Sequence, residues 1–472
     1  MPGKKSCLSA GDFKALSFIF LLGLILRLIY ILPLTYVPYS DAAAYANAAR
    51  DLARGEGFLA EYEMAEQYPL YIYFLGGLFY LFGENYLLIR IVQAFLGALT
   101  GVLTFFLAKR ITEDGKLGLI AGLVVALYPD LILHTGSLMT EPLYTFLLTL
   151  LLLTWHISLD QNSWSWRIIT GLVMGLAYLT KAILIGFIPL ALLWEWVKTW
   201  PSWRSALRST LIIVVVSIGI CAPWLVRNWS IYGTMFPPFP QLTESLWGGN
   251  NPQANGYWLQ HPGTEEQKAY MATLSIPERR NYAKKQALTW IRENPGAFLK
   301  LVGLKISRLF SLKPDGSYKG NFYGKYAEAL IPVIAKAVLW ILVIVGLVHT
   351  FLFRKRLGLL YALFLSQVLI TIIFFAYARY LGPLIPALAV LAAYGVKILF
   401  QSRPYFRKKP WPMKVSSWVT IALLVLLIGN WGWDAARNLG TFRVWQQVDS
   451  LKQFQRQTLE KLEKNIRPST SP

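Results

Sequence analysis

Apolar runs of about twenty residues recur along the chain, and they restrict its fold more than any other feature of the sequence. A run of this length crosses the hydrocarbon core of a bilayer as a helix. Alternating segments of about ten residues, which would indicate an outer-membrane barrel, do not recur. The hydrophobic share of 55% also exceeds the ~45–50% of soluble globular chains. The sequence therefore predicts an all-α polytopic membrane protein.

Eleven helices are predicted to span the membrane, although the fifth and sixth are short enough to form one bent span. The predicted spans are residues 16–34, 87–108, 117–134, 141–158, 168–181, 183–197, 209–227, 329–353, 357–376, 383–400 and 416–433. The first run follows Lys4 and Lys5, as a secretory signal would, but it is too long for a signal core and contains Arg27. We therefore expect an uncleaved first transmembrane helix.

The net charge of +21 comes from basic residues that cluster in short groups between the apolar runs. These clusters fall on alternate loops, which the positive-inside rule places in the cytoplasm together with the N-terminus. They are therefore orientation signals, and no nucleic-acid partner is expected. Counting the fifth and sixth spans as two helices keeps this alternation along the whole chain.

This topology divides the chain into four predicted parts. They are a transmembrane module of helices 1–7 with an external loop at 36–86 (residues 1–228), an external loop domain (229–328), transmembrane helices 8–11 (329–433) and an external tail (434–472).

Two segments outside the spans are predicted to lie on the membrane surface. Pro69–Phe82 is apolar and aromatic but too short to span comfortably, which favours an interfacial helix in the first external loop. Residues 295–312 carry apolar side chains opposite Lys300, Lys305 and Arg308, which is typical of an amphipathic surface helix.

Charged residues within or beside the spans are costly and need an explanation. Those on the predicted external side come from separate parts of the chain: Asp41, Glu66, Arg90, His134, Glu141, Lys181, Arg227 and Arg379. Each could have a plain structural role, since a carboxylate can cap a helix and an arginine at a helix end can reach the lipid headgroups. Together they predict one external cavity with acids and bases, which suits group transfer from an anionic lipid phosphate.

The sequence contains no glycine-rich phosphate loop, no Rossmann fingerprint and no HExxH metal motif. No nucleotide cofactor is therefore expected, and a sugar donor should be linked to a lipid.

Short motifs follow one another in a recognisable order: Ser40-Asp41-Ala42-Ala43-Ala44-Tyr45, Gly55-Glu56-Gly57-Phe58, Glu66-Gln67-Tyr68-Pro69-Leu70, Phe82-Gly83, Arg90, Gln93, Thr140-Glu141-Pro142-Leu143, Leu179-Thr180-Lys181, Pro223-Trp224-Leu225-Val226-Arg227-Asn228 and Arg379-Tyr380-Leu381-Gly382-Pro383. The ordered set resembles the polytopic GT-C glycosyltransferases, in particular the branch of protein O-mannosyltransferases and lipid A aminoarabinose transferases. It covers the first seven helices well and extends more loosely to the tenth.

The resemblance implies a GT-C fold and an inverting transfer of a sugar from a polyprenyl-phosphate donor to a lipid, glycan or protein acceptor. The reaction would take place at the external face of the inner or cell membrane of a prokaryote. Asp41 matches the family's catalytic aspartate, and Glu141 a second acid that orients a substrate or joins Asp41 in holding a divalent metal ion. Lys181 and Arg379 match basic positions assigned to the lipid phosphate.

Further substrate-binding candidates are Tyr45, Glu66, Arg90, Arg227 and Tyr380. The chain departs from the aminoarabinose transferases where they carry Glu-Lys-Pro-Pro, because it has Glu66-Gln67-Tyr68-Pro69 there. The lysine expected beside the donor phosphate is therefore missing, which counts against lipid A aminoarabinose transfer specifically.

Two other classes of protein remain open on the sequence. A transporter or flippase of lipid-linked sugars would also use a charged site at membrane level, although we find no repeated halves. A non-catalytic assembly protein would bind partners through the external loop and tail, and it would tolerate replacement of Asp41 and Glu141.

Overall fold

A computed structural model describes residues 9–57, 69–199, 202–232, 240–259, 262–312, 324–351, 355–401 and 415–436. Every regular element in these ranges is a helix. The helices are α1 (Ala10–Ile31), α2 (Asp41–Ala53), α3 (Pro69–Phe82), α4 (Tyr86–Thr112), α5 (Gly115–Leu127), α6 (Pro129–Leu133), α7 (Glu141–Gln161), α8 (Trp164–Thr180), α9 (Phe187–Thr199), α10 (Trp203–Tyr232), α11 (Pro240–Gly249), α12 (Glu265–Thr273), α13 (Ile276–Glu293), α14 (Pro295–Leu309), α15 (Gly324–Phe351), α16 (Gly358–Ile373) and α17 (Ile385–Gln401).

A further helix covers Val415–Ala436. The chain up to Ile421 forms one compact unit, and a second unit begins at Ala422. The four-part division proposed from the sequence stays a prediction.

Eight helices of the described chain are long and apolar enough to cross a membrane, and the bent pair α5–α6 would make a ninth. The chain is therefore an integral membrane protein. All eleven predicted spans overlap helices, but the fifth and ninth correspond to α8 and α16, which have only 17 and 16 residues. The count of eleven spans stays a prediction.

The predicted first external loop contains α2 and α3, which pack closely on each other. A Cβ atom added at Gly76 of α3 would lie 2.9 Å from Leu52 Cδ2 and 3.3 Å from the Ala49 carbonyl oxygen of α2. Glycine at this position therefore lets the two helices approach. The interfacial location expected for Pro69–Phe82 stays a prediction.

Arg27 binds backbone carbonyl groups at the break between α5 and α6, where the segment bends by 52°. Pro129 opens α6 and has no N–H group, so the carbonyl groups at the end of α5 lose their helical partners. The Arg27 guanidinium donates to the carbonyl groups of Val125 at 3.3 Å and Ala126 at 3.2 Å. Backbone oxygens thus satisfy the buried Arg27 charge in α1. No carboxylate of the described chain pairs with it.

Gly97 of α4 provides the space in which Arg27 lies. A Cβ atom at this position would overlap Nε of Arg27 and approach its Cδ to 3.1 Å. The Arg27 side chain is only 1% exposed, so it has little freedom to move aside.

The helix predicted to lie on the membrane surface is α14, but Lys305 does not lie on an exposed polar face. Its side chain is fully buried, and its amine donates to Asn250 Oδ1 at 2.7 Å and to the Ile372 carbonyl group at 3.1 Å. The amphipathic pattern was therefore misleading at this position, because α14 packs on the C-terminal end of α16. Burial lowers the pKa of Lys305 to about 7.

We expect Gly97→Ala to lower the thermal unfolding temperature in detergent, because the added methyl group displaces Arg27 from the α5 carbonyl groups. Gly219→Ala is the control, since nothing lies within 4 Å of a Cβ atom there. In a cycle with Arg27→Met the two losses should be less than additive, with a coupling of about 0.5–3 kcal/mol for groups in contact. Strict additivity would show that Gly97 does not act through Arg27.

Lys305 should make stability depend on pH. Its pKa is about 7 in the folded protein and about 10.5 in the unfolded chain. The unfolded chain therefore binds more protons between these values, and the penalty for burying the ammonium is complete below pH 7 and disappears as the pH rises towards 10. Each pKa unit corresponds to about 1.4 kcal/mol.

The measurement is the unfolding temperature of wild type and Lys305→Met between pH 6 and about 9.5. This range covers the pH values over which the Lys305 pKa difference changes stability. The wild type should gain stability relative to the variant as the pH rises. Lys300→Met, which removes an exposed lysine of the same helix, should keep the wild-type profile. Parallel profiles of wild type and Lys305→Met would contradict the assignment.

Candidate active site

A buried ion pair between Glu141 and Lys181 lies at the centre of the candidate site. Lys181 Nζ is 2.9 Å from Glu141 Oε1, and the two residues are 9% and 4% exposed. Glu141 is the first residue of α7, and Lys181 directly follows the last residue of α8. The positive end of one helix dipole therefore favours the carboxylate and the negative end of the other favours the ammonium.

Arg379 and Tyr380 join this pair from the short 3-10 helix Ala378–Leu384. Lys181 Nζ lies 5.8 Å from the centre of the Tyr380 ring, and the Arg379 guanidinium lies 5.6 Å from the same ring. The charges of Lys181, His134 and Arg379 all act on the Glu141 carboxylate. The structure thus brings four of the predicted residues together: Glu141, Lys181, Arg379 and Tyr380.

A cavity of about 10 Å³ lies on another side of Glu141, and Arg27, Thr100, His134 and Thr145 are among its other lining residues. This volume is close to the minimum that holds one water molecule. A substrate group has no room there, so Glu141 is closed off on the side of Arg27.

Asp41 is the first residue of α2, at the start of the motif that suggested a catalytic base. Ser40 precedes it with a φ of 53° and makes no side-chain cap, although its hydroxyl group donates to Asp41 Oδ1 at 3.4 Å. The Asp41 side chain is half-buried, and within the described residues no lysine or arginine pairs with it. Its carboxylate is thus available as a hydrogen-bond or proton acceptor.

Tyr45, one turn after Asp41 in α2, packs on Tyr71 of α3. Tyr45 is 3% exposed and meets Tyr71 edge to face, with ring centres 5.5 Å apart. The Tyr71 ring is close enough to Glu141 for the two groups to interact electrostatically. The tyrosine pair thus links α2, which begins at Asp41, to the surroundings of Glu141.

Gln93 connects this tyrosine pair to the turn before Glu141. It accepts a hydrogen bond from the Tyr71 hydroxyl group at 2.9 Å and donates to the carbonyl groups of Ser137 at 2.9 Å and Thr135 at 3.3 Å. In the sequence Gln93 stands out only through the motif order, and Tyr71 does not stand out at all. Neither residue is charged, so nothing in the charge pattern could have identified them.

Arg90 holds the C-terminal end of α1. Its guanidinium donates to the carbonyl groups of Ile31 at 3.4 Å and Leu34 at 3.3 Å, and it lies 5.1 Å from the centre of the Tyr36 ring. These contacts satisfy carbonyl groups that a helix end leaves without partners. The substrate-binding role of Arg90 stays a prediction.

Arg227 lies near the end of α10, where it stacks over Trp224 at 4.5 Å and donates to Asn228 Oδ1 at 3.2 Å. No described contact brings it to Glu141 or Lys181. Glu66 and Gln67 lie outside the described residues.

A metal ion held by Asp41 and Glu141 was one prediction from the resemblance. The described residues contain no group of three or more His, Cys, Asp or Glu side chains that could hold an ion. Glu141 is engaged by Lys181. A metal ion shared by Asp41 and Glu141 stays a prediction.

Comparison with known proteins supports the resemblance noted in the sequence. Residues 66–226 match the family model of dolichyl-phosphate-mannose-protein mannosyltransferase. An undecaprenyl phosphate-alpha-4-amino-4-deoxy-L-arabinose arabinosyl transferase of Pseudomonas aeruginosa (strain UCBPP-PA14) is 25% identical over 432 residues, which cover 88% of this chain and 70% of that protein. A protein of the same description from Edwardsiella ictaluri is 24% identical over 218 residues, which cover 44% and 39%.

The fold agrees with that of a solved relative. The crystal structure of ArnT from Cupriavidus metallidurans bound to undecaprenyl phosphate aligns with a TM-score of 0.51 and 16% identity, over 89% of this chain and 72% of the other. The chain is thus a glycosyltransferase related to the GT-C group that contains the protein O-mannosyltransferases and the aminoarabinose transferases.

Proposed function

We propose that this protein transfers a sugar from a polyprenyl-phosphate donor to a lipid, glycan or protein acceptor, with inversion at the anomeric carbon. The observation that carries the proposal is the different surroundings of the two acids, Asp41 and Glu141. Asp41 is a carboxylate without a basic partner in the described chain, whereas Lys181 and Arg379 form a cationic group around Glu141. A base and a phosphate-binding group are what the transfer requires.

Asp41 takes the proton from the acceptor hydroxyl or amine as that group attacks the anomeric carbon. The bond from this carbon to the phosphate oxygen breaks on the opposite face, through an oxocarbenium-like transition state of the kind known from glycoside hydrolysis. The products are the glycosylated acceptor and the polyprenyl phosphate, and the proton on Asp41 returns to water.

Lys181 and Arg379 stabilise the negative charge that develops on the departing phosphate. An ammonium group has three N–H donors, and Lys181 uses one on Glu141. Two donors are left for phosphate oxygens, while Arg379 offers the planar fork that suits a phosphate. Glu141 orients Lys181 in this arrangement.

The charge alternation along the sequence supports an active site on the external face, with the N-terminus in the cytoplasm. We therefore place the reaction on the periplasmic side of the cell membrane of a prokaryote, where a lipid-linked donor replaces a nucleotide sugar. Tyr45 would line the acceptor side of the site and Tyr380 the phosphate side.

Asp41→Asn should abolish most of the transfer, because a general base contributes about 10²–10⁴-fold to the rate. The assay uses purified protein in detergent with radiolabelled polyprenyl-phosphate sugars and measures labelled product, and the unfolding temperature of each variant is recorded. Glu293→Gln, which changes an exposed acid outside the site, is the control for loss of one negative charge. Normal transfer by a folded Asp41→Asn variant would remove Asp41 as the base.

Variants of the Glu141–Lys181 ion pair can distinguish a structural role of Lys181 from a chemical one. Lys181→Met alone should lower the free energy of unfolding by about 3–5 kcal/mol, because it leaves the Glu141 charge buried without its partner. The double variant with Glu141→Gln should recover much of this stability, since no unpaired charge is left.

Neither variant should recover transfer or the binding of polyprenyl phosphate, because the phosphate loses its ammonium partner. Transfer at the wild-type rate by the stable double variant would show that Lys181 has only a structural role.

A further inference from the structure

Arg379 stands at one end of a stack that reaches outwards to α14. The Arg308 guanidinium lies 3.7 Å from the centre of the Tyr257 ring. Tyr257 stacks on Tyr377 with ring centres 5.3 Å apart and planes inclined by 29°, and the Arg379 guanidinium lies 5.3 Å from the centre of the Tyr377 ring. Two guanidinium groups therefore lie against a pair of stacked tyrosine rings, one beside each ring.

This order of groups is electrostatically favourable. The face of an aromatic ring carries negative potential, so it attracts a guanidinium group on each outer side of the pair. The ring pair also keeps the two positive charges apart, whereas direct contact would make them repel each other. The stack consequently defines where the Arg379 charge lies.

The segment that carries Arg379 needs such support, because residues 374–377 between α16 and the 3-10 helix have no helical structure. Ala376 N–H donates to the Gly256 carbonyl group at 2.9 Å. Asn250 donates to the Ile373 carbonyl group at 2.8 Å. The external segment around residues 250–257 therefore holds residues 373–376, which lead to Arg379, by backbone and side-chain hydrogen bonds.

The external segment is itself fixed against α14. Gly256 has a φ of +92°, and a Cβ atom at this position would lie 2.9 Å from Arg308 Cδ. Lys305, one turn before Arg308, holds Asn250 by a hydrogen bond of 2.7 Å. Arg308 and the segment that carries Tyr257 thus meet in one defined arrangement.

We propose that Tyr257 and Arg308 are positioning residues for the phosphate of the polyprenyl donor, acting through Tyr377 on Arg379. This inference rests on the proposed function, in which Arg379 binds that phosphate. It adds a role for the external segment, which holds the phosphate-binding arginine in place while contacting neither the sugar nor the acceptor.

The test compares Tyr257→Ala with Tyr257→Phe, which keeps the ring. The readouts are KM and kcat for a polyprenyl-phosphate sugar, the Kd of sugar-free polyprenyl phosphate and the unfolding temperature. Tyr257→Ala and Arg308→Gln should raise KM and Kd about tenfold, the order expected when a partly desolvated cation–aromatic contact is lost, and should leave kcat largely unchanged.

Tyr257→Phe should keep the wild-type KM and Kd. Tyr270→Ala is the matched control, because it removes a ring from another tyrosine pair of the external helices, Tyr270–Tyr282, with centres 5.2 Å apart. It should leave donor binding unchanged.

Unchanged donor binding in a folded Tyr257→Ala variant would overturn the positioning role. An equal increase of KM in Tyr270→Ala would also overturn it, because general loosening of the external helices would then explain both results.

The Arg379→Gln variant distinguishes failure of the positioning role from failure of the proposed function. Weaker binding in Arg379→Gln together with normal binding in Tyr257→Ala would refute only the positioning role. Normal binding in Arg379→Gln would refute the assignment of Arg379 to the phosphate, and the positioning role with it.

Discussion

The ion pair of Glu141 and Lys181 is the interaction on which the arrangement of the site depends. Both groups are almost completely buried, so each requires the other to avoid the cost of an unpaired charge. The pair joins the start of α7 to the end of α8, and Arg379 and Tyr380 gather around it. The site thus assembles from three separate chain segments, two of which this ion pair joins directly.

Each of these segments is a place where a helix starts, ends or breaks. Irregular backbone at membrane depth is tolerated only where protein or a polar cavity surrounds it. Here the breaks occur next to buried side chains that satisfy them, as Arg27 does for the end of α5 and Asn250 does for the end of α16. Buried side chains outside the ion pair therefore satisfy backbone groups of the broken helices.

Much of this could be predicted from the sequence, because charge and hydrophobicity carry the signal. Apolar runs gave the helices within a few residues at most ends, and the alternation of basic clusters put Glu141, Lys181 and Arg379 on one face. The grouping that the structure shows around Glu141 agrees with this expectation, while their chemical roles are proposals.

Other features could not be predicted, for physical reasons. Arg90 and Arg379 look alike in the sequence, yet one binds the carbonyl groups of a helix end and the other lies beside Glu141. The burial of Lys305 depends on α16, which is distant in the chain. The Tyr257–Tyr377 stack joins uncharged residues that no periodic pattern connects.

The contact between Glu141 and Lys181 affects product release in the proposed reaction. During the proposed reaction the phosphate is a second anion for the same ammonium group, and it leaves with the lipid product. Glu141 remains, so departure of the product does not expose a bare cation to the apolar surroundings of the site. In the proposed reaction a resident carboxylate of this kind keeps the lysine paired and oriented between reaction cycles.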